Sequence, residues 1–372
     1  MNFEYSEEQQ QLADSLRKYL GNEYDFEKRK VIVKSDSGVS ESVWSAFAEM
    51  GLTAIAVPEA DGGFGGGAVD LMAAMEACGE ALVVEPLLDT IGLATRLVAR
   101  CGSAAQRAAV LPHLADGSLR IALAALEPGR RYALDAQVTT ARAQGGSWVL
   151  DGRKSVVIGA PSAAKLIVSA RTATGTSLFL VDAAAAGLTL KSCRTVDGQR
   201  AADIVLADVK VSADAMIGAE GSGVEALEEA TDFATALLCA DAIGAMKFAN
   251  DTTLEYIKTR KQFGVAIGSF QSLQHRMVDM MVVTEQARSM AIYAAAKVDT
   301  AADAAERKRA VSMAKVKIAD ACRHVSQESV QLHGGMGMTE EMKVSHAFRR
   351  LTMLAQRFGD ADHHLERIVA LG

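Results

Sequence analysis

Two short segments in the last third of the sequence combine side chains that bind phosphate with backbone that can approach a ligand closely. The first, residues 260–264 (RKQFG), follows a long stretch of helical periodicity. An arginine there can hold a pyrophosphate through charge-assisted hydrogen bonds, and a phenylalanine can stack on an adenine. The alternative is a solvated basic helix end that is stabilised by the helix dipole.

The second segment, residues 331–337 (QLHGGMG), carries two adjacent glycines. Glycine lets the backbone approach a ligand, and the N–H groups of such a turn can donate to phosphate or carbonyl oxygens. A turn between two helices with glycine C-caps would produce the same pattern. We do not expect His333 to bind a metal, and we assign no metal site to the chain.

Other candidate motifs do not predict catalysis or metal binding. Helical patterns flank the glycine-rich residues 61–67, whereas a dinucleotide-binding loop needs a strand before it, so we expect a surface loop. The adjacent His363 and His364 would point apart on a helix and make a poor chelate. The cysteines form no Cys-x-x-Cys pair, so we expect reduced, mostly buried thiols. They are Cys78, Cys101, Cys193, Cys239 and Cys322.

The composition indicates a soluble protein. The 372 residues are 49% hydrophobic and 23% charged, and with five prolines long helices can run unbroken. The formal charge of −7 argues against a nucleic-acid groove, which needs basic residues. The sequence opens without a secretory signal, and no apolar run reaches the roughly 18 residues of a membrane helix. We therefore expect a cytoplasmic protein that binds neither nucleic acid nor membrane.

Hydrophobic periodicity divides the chain into helical, β and helical parts. Residues 1–118 predict an N-terminal helical domain, in which Ser6 and Gln9 form a capping box. Residues 119–221 carry short β-rich runs with a hairpin signal at residues 144–146, and predict a β domain. Residues 222–372 return to long helices rich in Ala and Met.

These segments together resemble the acyl-CoA dehydrogenase family over essentially the whole chain. The C-terminal residues 350–364 resemble the small subunits of heteromeric enzymes of the pimeloyl-CoA dehydrogenase type. The family resemblance rests on residues 5–10 (YSEEQQ), 57–63 (VPEADGG), 259–264 (TRKQFG), 267–271 (IGSFQ) and 331–337 (QLHGGMG).

The resemblance implies an N-terminal all-α domain, a central β-barrel or sandwich domain and a C-terminal four-helix bundle. Family members use FAD to oxidise an acyl-CoA thioester between Cα and Cβ, and an electron-transfer flavoprotein is the expected electron acceptor. The central domain of one subunit cradles the flavin ring, and the bundle of its neighbour holds the ADP half. By this resemblance the ADP contacts are Arg260, Gln262, Phe263, Gln271, Gln331, Gly334 and Gly335.

The positions that would face the flavin ring depart from the family pattern. Leu126-Glu127-Pro128 stands where the family has Thr-Glu-Pro, and Val156 and Ile158 replace the members of a Trp-x-Thr segment. Leu, Val and Ile side chains cannot donate hydrogen bonds to a polar flavin edge. Each polar group left unpaired in this way costs roughly 1–3 kcal/mol.

The catalytic base departs from the family pattern as well. Gly359 follows the aromatic Phe358 where the family has a glutamate, and the alternative glutamate position falls at Ala234. Asp360, one residue later, is the candidate base that remains. A base must reach its proton within hydrogen-bond distance, which is harder for an aspartate than for a glutamate. Its shorter side chain favours a role as the cap of the last helix.

We hypothesise that the chain is an acyl-CoA dehydrogenase subunit that lends ADP contacts to a catalytic partner subunit in a heterotetramer. One alternative is a self-sufficient homo-oligomeric enzyme that uses Asp360. Another is a scaffold subunit that has lost the flavin. Dicarboxylic, medium-chain and steroid side-chain acyl-CoA substrates all fit the sequence.

Overall fold

A computed structural model of the chain describes residues 5–135 and 137–372. Its elements follow the expected order of helices, strands and helices. The α-helices are α1 (Glu7–Glu23), α2 (Phe26–Lys34), α3 (Glu41–Glu49), α4 (Ala68–Glu80), α5 (Arg96–Cys101), α6 (Ala104–Ala115), α7 (Gly223–Thr259), α8 (Gln271–Thr300), α9 (Ala304–His333), α10 (Lys343–Gln356) and α11 (Ala361–Val369), and a π-helix spans Leu88–Thr95.

The strands lie between the two helical parts, except for one small hairpin after α7. They are β1 (Ile121–Ala124), β2 (Thr140–Gln144), β3 (Ser147–Ile158), β4 (Lys165–Arg171), β5 (Thr176–Asp182), β6 (Leu188–Arg194), β7 (Arg200–Ser212), β8 (Met216–Ile217), β9 (Lys261–Gln262) and β10 (Val265–Ala266). Within the described residues, no helix is both long and apolar enough to cross a membrane.

The chain folds into two compact units. The first comprises Met1–Lys30, Ala68–Val83 and Thr235–Gly372, and the second comprises Val31–Gly67 and Val84–Ala234. In the first unit, α9 packs against α8, α10 and α11, while α4 packs against α1 and α8.

Glycine allows two helices of the first unit to cross at close range. A Cβ atom on Gly79 of α4 would lie 2.1 Å from the carbonyl oxygen of Asp241 on α7. A Cβ atom on Gly244 of α7 would lie 2.0 Å from the carbonyl oxygen of Glu76 on α4. Both positions therefore exclude any side chain, because close-packed interiors have no room to absorb such overlaps.

The second unit is built on an eight-stranded sheet with the order β6-β7-β3-β2-β4-β5-β8, to which β1 adds by pairing with β4. The predicted hairpin is confirmed: β2 and β3 pair with Gln144 opposite Ser147. The two turn residues, Gly145 and Gly146, have φ values of 58° and 78°, which a type I′ turn requires.

Local helix signals in the sequence are also confirmed, and one was missed. Ser6 and Gln9 form both hydrogen bonds of the predicted capping box at the start of α1. Ser103 and Gln106 form a second capping box at the start of α6, which we did not predict. In both boxes a side chain satisfies a helix N–H group that has no partner within the helix.

A buried ion pair ties the loop after β1 to the sheet. The Nζ atom of Lys154, with no solvent exposure, donates to Glu127 at 2.8 Å and to Ser169 at 3.0 Å. It also donates to the side-chain oxygen of Gln137 at 2.5 Å. Glu127 accepts further bonds from two backbone N–H groups of that loop. The charges are thus paired, as burial demands.

Replacement of Lys154 by methionine should destabilise the protein, because it leaves the carboxylate of Glu127 buried without its cation. We expect a loss of roughly 3–5 kcal/mol, measured by urea unfolding. Lys165→Met is the matched control, since Lys165 is partly exposed and lies 3.9 Å from Asp182. The control should change stability by less than about 0.5 kcal/mol. Equal losses in the two variants would contradict this interpretation.

Candidate functional site

The segment at residues 260–264 forms a small hairpin beyond the end of α7. β9 and β10 pair with Gln262 opposite Val265, and Phe263 and Gly264 make the two-residue turn with φ values of 55° and 81°. A phenylalanine in the left-handed region is strained, and such strain concentrates at ligand sites. The turn holds the side chain of Phe263 at the tip, where it is 92% exposed.

Backbone contacts fix the base of this hairpin. The N–H of Ile267 donates to the carbonyl of Arg260 at 2.8 Å, and the rings of Phe263 and Phe270 meet edge to face at 6.2 Å. Gln271 is the first residue of α8. The side chains of Arg260, Gln262 and Gln271 are exposed.

The second segment forms an open turn at the end of α9. Gly334 has φ 61° and ψ −148°, a conformation that is essentially restricted to glycine. A Cβ atom on Gly334 or Gly335 would meet nothing within 4 Å, so packing does not explain these glycines. Gln331 is exposed beside them. The turn therefore presents free space along its backbone.

A ring contact brings the two segments together. Tyr256, one helical turn before Arg260, stacks on His333 with ring centroids 4.2 Å apart and an interplanar angle of 26°. Its hydroxyl donates to the carbonyl of His333 at 3.4 Å. His333 immediately precedes Gly334. All the residues that the sequence predicted as ADP contacts thus belong to the end of the first unit where α7 and α9 finish and α8 begins.

Asp360 lies in a different turn, between α10 and α11. Its carboxylate accepts a hydrogen bond from the backbone N–H of His363 at 2.9 Å, so it is the N-cap of α11. The predicted capping role is confirmed.

The turn before Asp360 is closed where the family pattern would place a glutamate. Gly359 has φ 118°, and a Cβ atom there would lie 2.5 Å from Cδ2 of His363 and 2.7 Å from Nε2 of His364. The imidazole of His364 donates to the carbonyl of Phe358 at 3.1 Å. Burial, helped by Lys315, lowers the pKa of His364 to about 3, so its ring stays neutral. The two histidines occupy the space of any side chain at position 359.

Sequence reasoning missed a buried lysine that braces this turn. Lys315 on α9 has no solvent exposure and donates to the carbonyls of Ala355 at 2.9 Å and Gly359 at 2.7 Å. Burial lowers the pKa of Lys315 to about 8. The available signal in the sequence was a lysine placed among alanines on the inner face of α9. The sequence pattern does not show whether such a lysine is buried or solvated, and the packing decides it.

The sheet residues at the ring-facing positions form an apolar bulge. The register of β3 against β7 shifts between Lys154 and Val157, and Val156 takes a φ of 50° within that bulge. The Val156 side chain is 46% exposed and that of Leu126 is 37% exposed, while Ile158 is buried. Neither exposed side chain can donate a hydrogen bond.

Asp203 accepts a hydrogen bond from the backbone N–H that this bulge exposes. Its Oδ1 atom accepts from the N–H of Val156 and from the hydroxyl of Ser155, each at 3.0 Å. The hydrogen bond from the N–H of Val156 contributes most, and with the bond from Ser155 it lowers the pKa of the Asp203 carboxyl below its ordinary value. The carbonyl of Leu126 is likewise engaged, since it accepts from the N–H of Ser155 at 2.9 Å.

Comparison with family models covers nearly all of the chain. The N-terminal, middle and C-terminal domain models of acyl-CoA dehydrogenases match residues 6–118, 122–209 and 221–370. The chain belongs to the acyl-CoA dehydrogenase family. The members of this family are flavoproteins that bind FAD and are oxidoreductases acting on CH–CH bonds.

Individual relatives agree with this assignment. The acyl-CoA dehydrogenase FadE12 of Mycobacterium tuberculosis is 31% identical over 363 residues, which span 92% of this chain and 90% of FadE12. A variant of the Tcur3481–Tcur3483 steroid ACAD superposes with a TM-score of 0.89 at 30% identity over 98% and 97% of the two chains. The ChsE4–ChsE5 complex from Mycobacterium tuberculosis gives 0.90 at 25% identity over 100% and 98%.

The residues of this acyl-CoA dehydrogenase fit one half of FAD and not the other. The exposed cation of Arg260, the exposed ring of Phe263 and the open Gly334 turn match the chemistry of a pyrophosphate and an adenine. The bulge at Val156 does not match the polar edge of the flavin ring, because its amide already serves Asp203. Within residues 5–135 and 137–372, no group of three His, Cys, Asp or Glu could hold a metal ion.

A side chain at position 359 should destabilise the fold. Gly359→Ala should lower the free energy of unfolding by more than about 2 kcal/mol, because strain and steric overlap combine. Gly145→Ala is the matched control, since it has positive φ but no neighbour within 4 Å, and should lose about 1 kcal/mol.

Because the space at position 359 is closed, Gly359→Glu should not give the isolated chain dehydrogenase activity. Equal stability of the two alanine variants would show that the turn is not closed in solution.

Proposed function

We propose that this chain is a subunit of a heteromeric FAD-dependent acyl-CoA dehydrogenase and that it contributes the ADP-half contacts to a flavin whose ring lies in a partner subunit. The observation that carries this proposal is an asymmetry within one chain. The segments that suit a nucleotide tail are open and exposed, whereas the positions that would face the flavin ring carry apolar side chains and the N–H of Val156 is bound by Asp203.

The ADP contacts are assigned by charge and shape. Arg260 provides a permanent cation for the pyrophosphate, and Phe263 provides an exposed ring for stacking. The backbone at Gly334 and Gly335 can approach the phosphates because no side chain intervenes. Gln262, Gln271 and Gln331 supply amide donors and acceptors around the same end of the unit.

The chemical step requires a carboxylate base that the three candidate positions do not supply. When bound, FAD would accept the hydride from Cβ of the acyl-CoA, and a carboxylate would have to take the proton from Cα. Ala234 has no carboxylate, the space at Gly359 is closed, and the carboxylate of Asp360 caps α11. We therefore assign the base and the ring pocket to the partner subunit.

The relatives support this assembly. The similar chains in the ChsE4–ChsE5 complex and in the Tcur3481–Tcur3483 steroid ACAD come from assemblies of two different proteins. We propose a heterotetramer of the same kind, an acyl-CoA substrate, and an electron-transfer flavoprotein as electron acceptor, with a cytoplasmic location. Among substrate classes, the similarity to the steroid ACAD favours an acyl-CoA with a steroid side chain.

Co-expression with a catalytic acyl-CoA dehydrogenase subunit should give a complex that holds flavin at half the molar amount of total chains. Arg260→Ala should weaken FAD binding about 10–100-fold, because a charge-assisted bond to phosphate contributes roughly 1.5–3 kcal/mol. Lys258→Ala is the control: Lys258 lies on the last turn of α7, is exposed and should leave FAD binding unchanged.

Two outcomes would overturn the proposal. Full flavin and turnover in this chain alone would establish the self-sufficient enzyme. A stable two-chain complex that binds no FAD would establish the scaffold.

Asp360→Asn separates the proposal from the self-sufficient enzyme. Asparagine caps a helix about as well as aspartate, so we expect unchanged kcat and unchanged thermal stability in the holo complex. A catalytic Asp360 would instead lose activity in this variant while stability stayed constant. Asp360→Ala should cost about 1 kcal/mol of stability through the lost cap and should not change kcat.

A further inference from the structure

The imidazole of His333 is held in one neutral form. Its side chain is 3% exposed, and Nδ1 lies 2.8 Å from the carbonyl oxygen of Ser329. A carbonyl only accepts hydrogen bonds, so Nδ1 carries the proton and Nε2 is a bare acceptor. Among the described residues, Nε2 is buried with no hydrogen-bond partner. The neutral ring therefore has no second N–H group that needs an acceptor.

That ring is the contact between the two ADP segments. It stacks on Tyr256, whose backbone carbonyl accepts from the N–H of Arg260 at 2.8 Å. On the other side, His333 is joined directly to Gly334, whose N–H donates to the carbonyl of Gln331. Any shift of the His333 ring thus moves the glycine turn relative to the arginine hairpin.

We propose that His333 is a positioning residue for FAD binding: stacked on Tyr256 as a neutral ring, it sets the spacing between the Arg260 hairpin and the Gly334 turn. This inference rests on the proposed function, because it assigns both segments to the ADP half of FAD. Because His333 is buried, we assign it no contact with the cofactor.

Protonation of His333 should disrupt this arrangement. It would create a buried Nε2–H with no acceptor among the described residues and a charge with no counter-ion, since the ring contacts Tyr256 from α7 and the carbonyl of Ser329 from α9. Burial lowers the pKa of His333, and the Ser329 carbonyl partly opposes this; no charged side chain adds to either effect. The ring therefore stays neutral through the ordinary histidine range, and the neutral form is lost only as pH falls through the lowered pKa.

The test measures FAD affinity in the holo two-chain complex at about pH 7.5 and about pH 5.5. His333→Ala removes the stack and should bind FAD about tenfold more weakly at both pH values. His333→Phe keeps a ring on Tyr256 but cannot be protonated. It should match the wild type at the higher pH and should lack the weakening that the wild type shows as the pH is lowered.

Variants of Tyr256 test the stack from the other side. Tyr256→Phe keeps the ring and should bind FAD like the wild type, whereas Tyr256→Leu removes it and should resemble His333→Ala. Thermal unfolding of each variant verifies that the subunit remains folded. Wild-type affinity in both His333→Ala and Tyr256→Leu, or the same pH profile in wild type and His333→Phe, would overturn the inference.

Arg260→Ala separates this inference from the proposed function. If Arg260→Ala weakens FAD binding and the His333 variants do not, only the positioning role fails. If Arg260→Ala leaves FAD binding unchanged as well, the assignment of these segments to the ADP half fails with it.

Discussion

The stacking of Tyr256 on His333 is the interaction that joins the hairpin after α7 to the turn after α9. The hairpin after α7 and the turn after α9 are far apart in the sequence, and each is short and exposed. A loop of this kind has little packing of its own, so its position follows from the helix that carries it. The ring contact fixes the ends of both helices against each other, and the two segments thereby form one surface.

The sheet presents the opposite situation. A bulge in β3 still turns residue 156 outward, as a strand that faces a ligand would require. The outward side chain is an aliphatic one, and the carboxylate of Asp203 binds the amide beside it. The bulge thus presents an aliphatic side chain and an N–H that is already bound. This combination is what a subunit would show if it kept the fold of an acyl-CoA dehydrogenase and left the flavin ring to its partner.

The turn between α10 and α11 leaves no space for a side chain at position 359. Gly359 is bounded by two histidine rings, and Lys315 donates to the carbonyl of Gly359 and to that of Ala355 at the end of α10. A buried lysine is tolerated because those carbonyls satisfy its donors. A side chain at position 359 would therefore have to displace the two histidine rings that pack against it.

The sequence by itself determined the features that depend on neighbouring residues. The capping box at Ser6, the hairpin at Gly145 and Gly146, the long C-terminal helices and the family motifs are all written in short stretches of chain, since caps and turns are satisfied within a few residues. It did not reveal β6, whose edge position leaves most of its side chains exposed. Nor did it reveal the burial of Lys154 and Lys315, the Asp203 contact to the bulge or the stacking of Tyr256 on His333. Those were decided by tertiary structure, because each joins residues that are distant in the sequence and depends on which faces of the helices and strands meet.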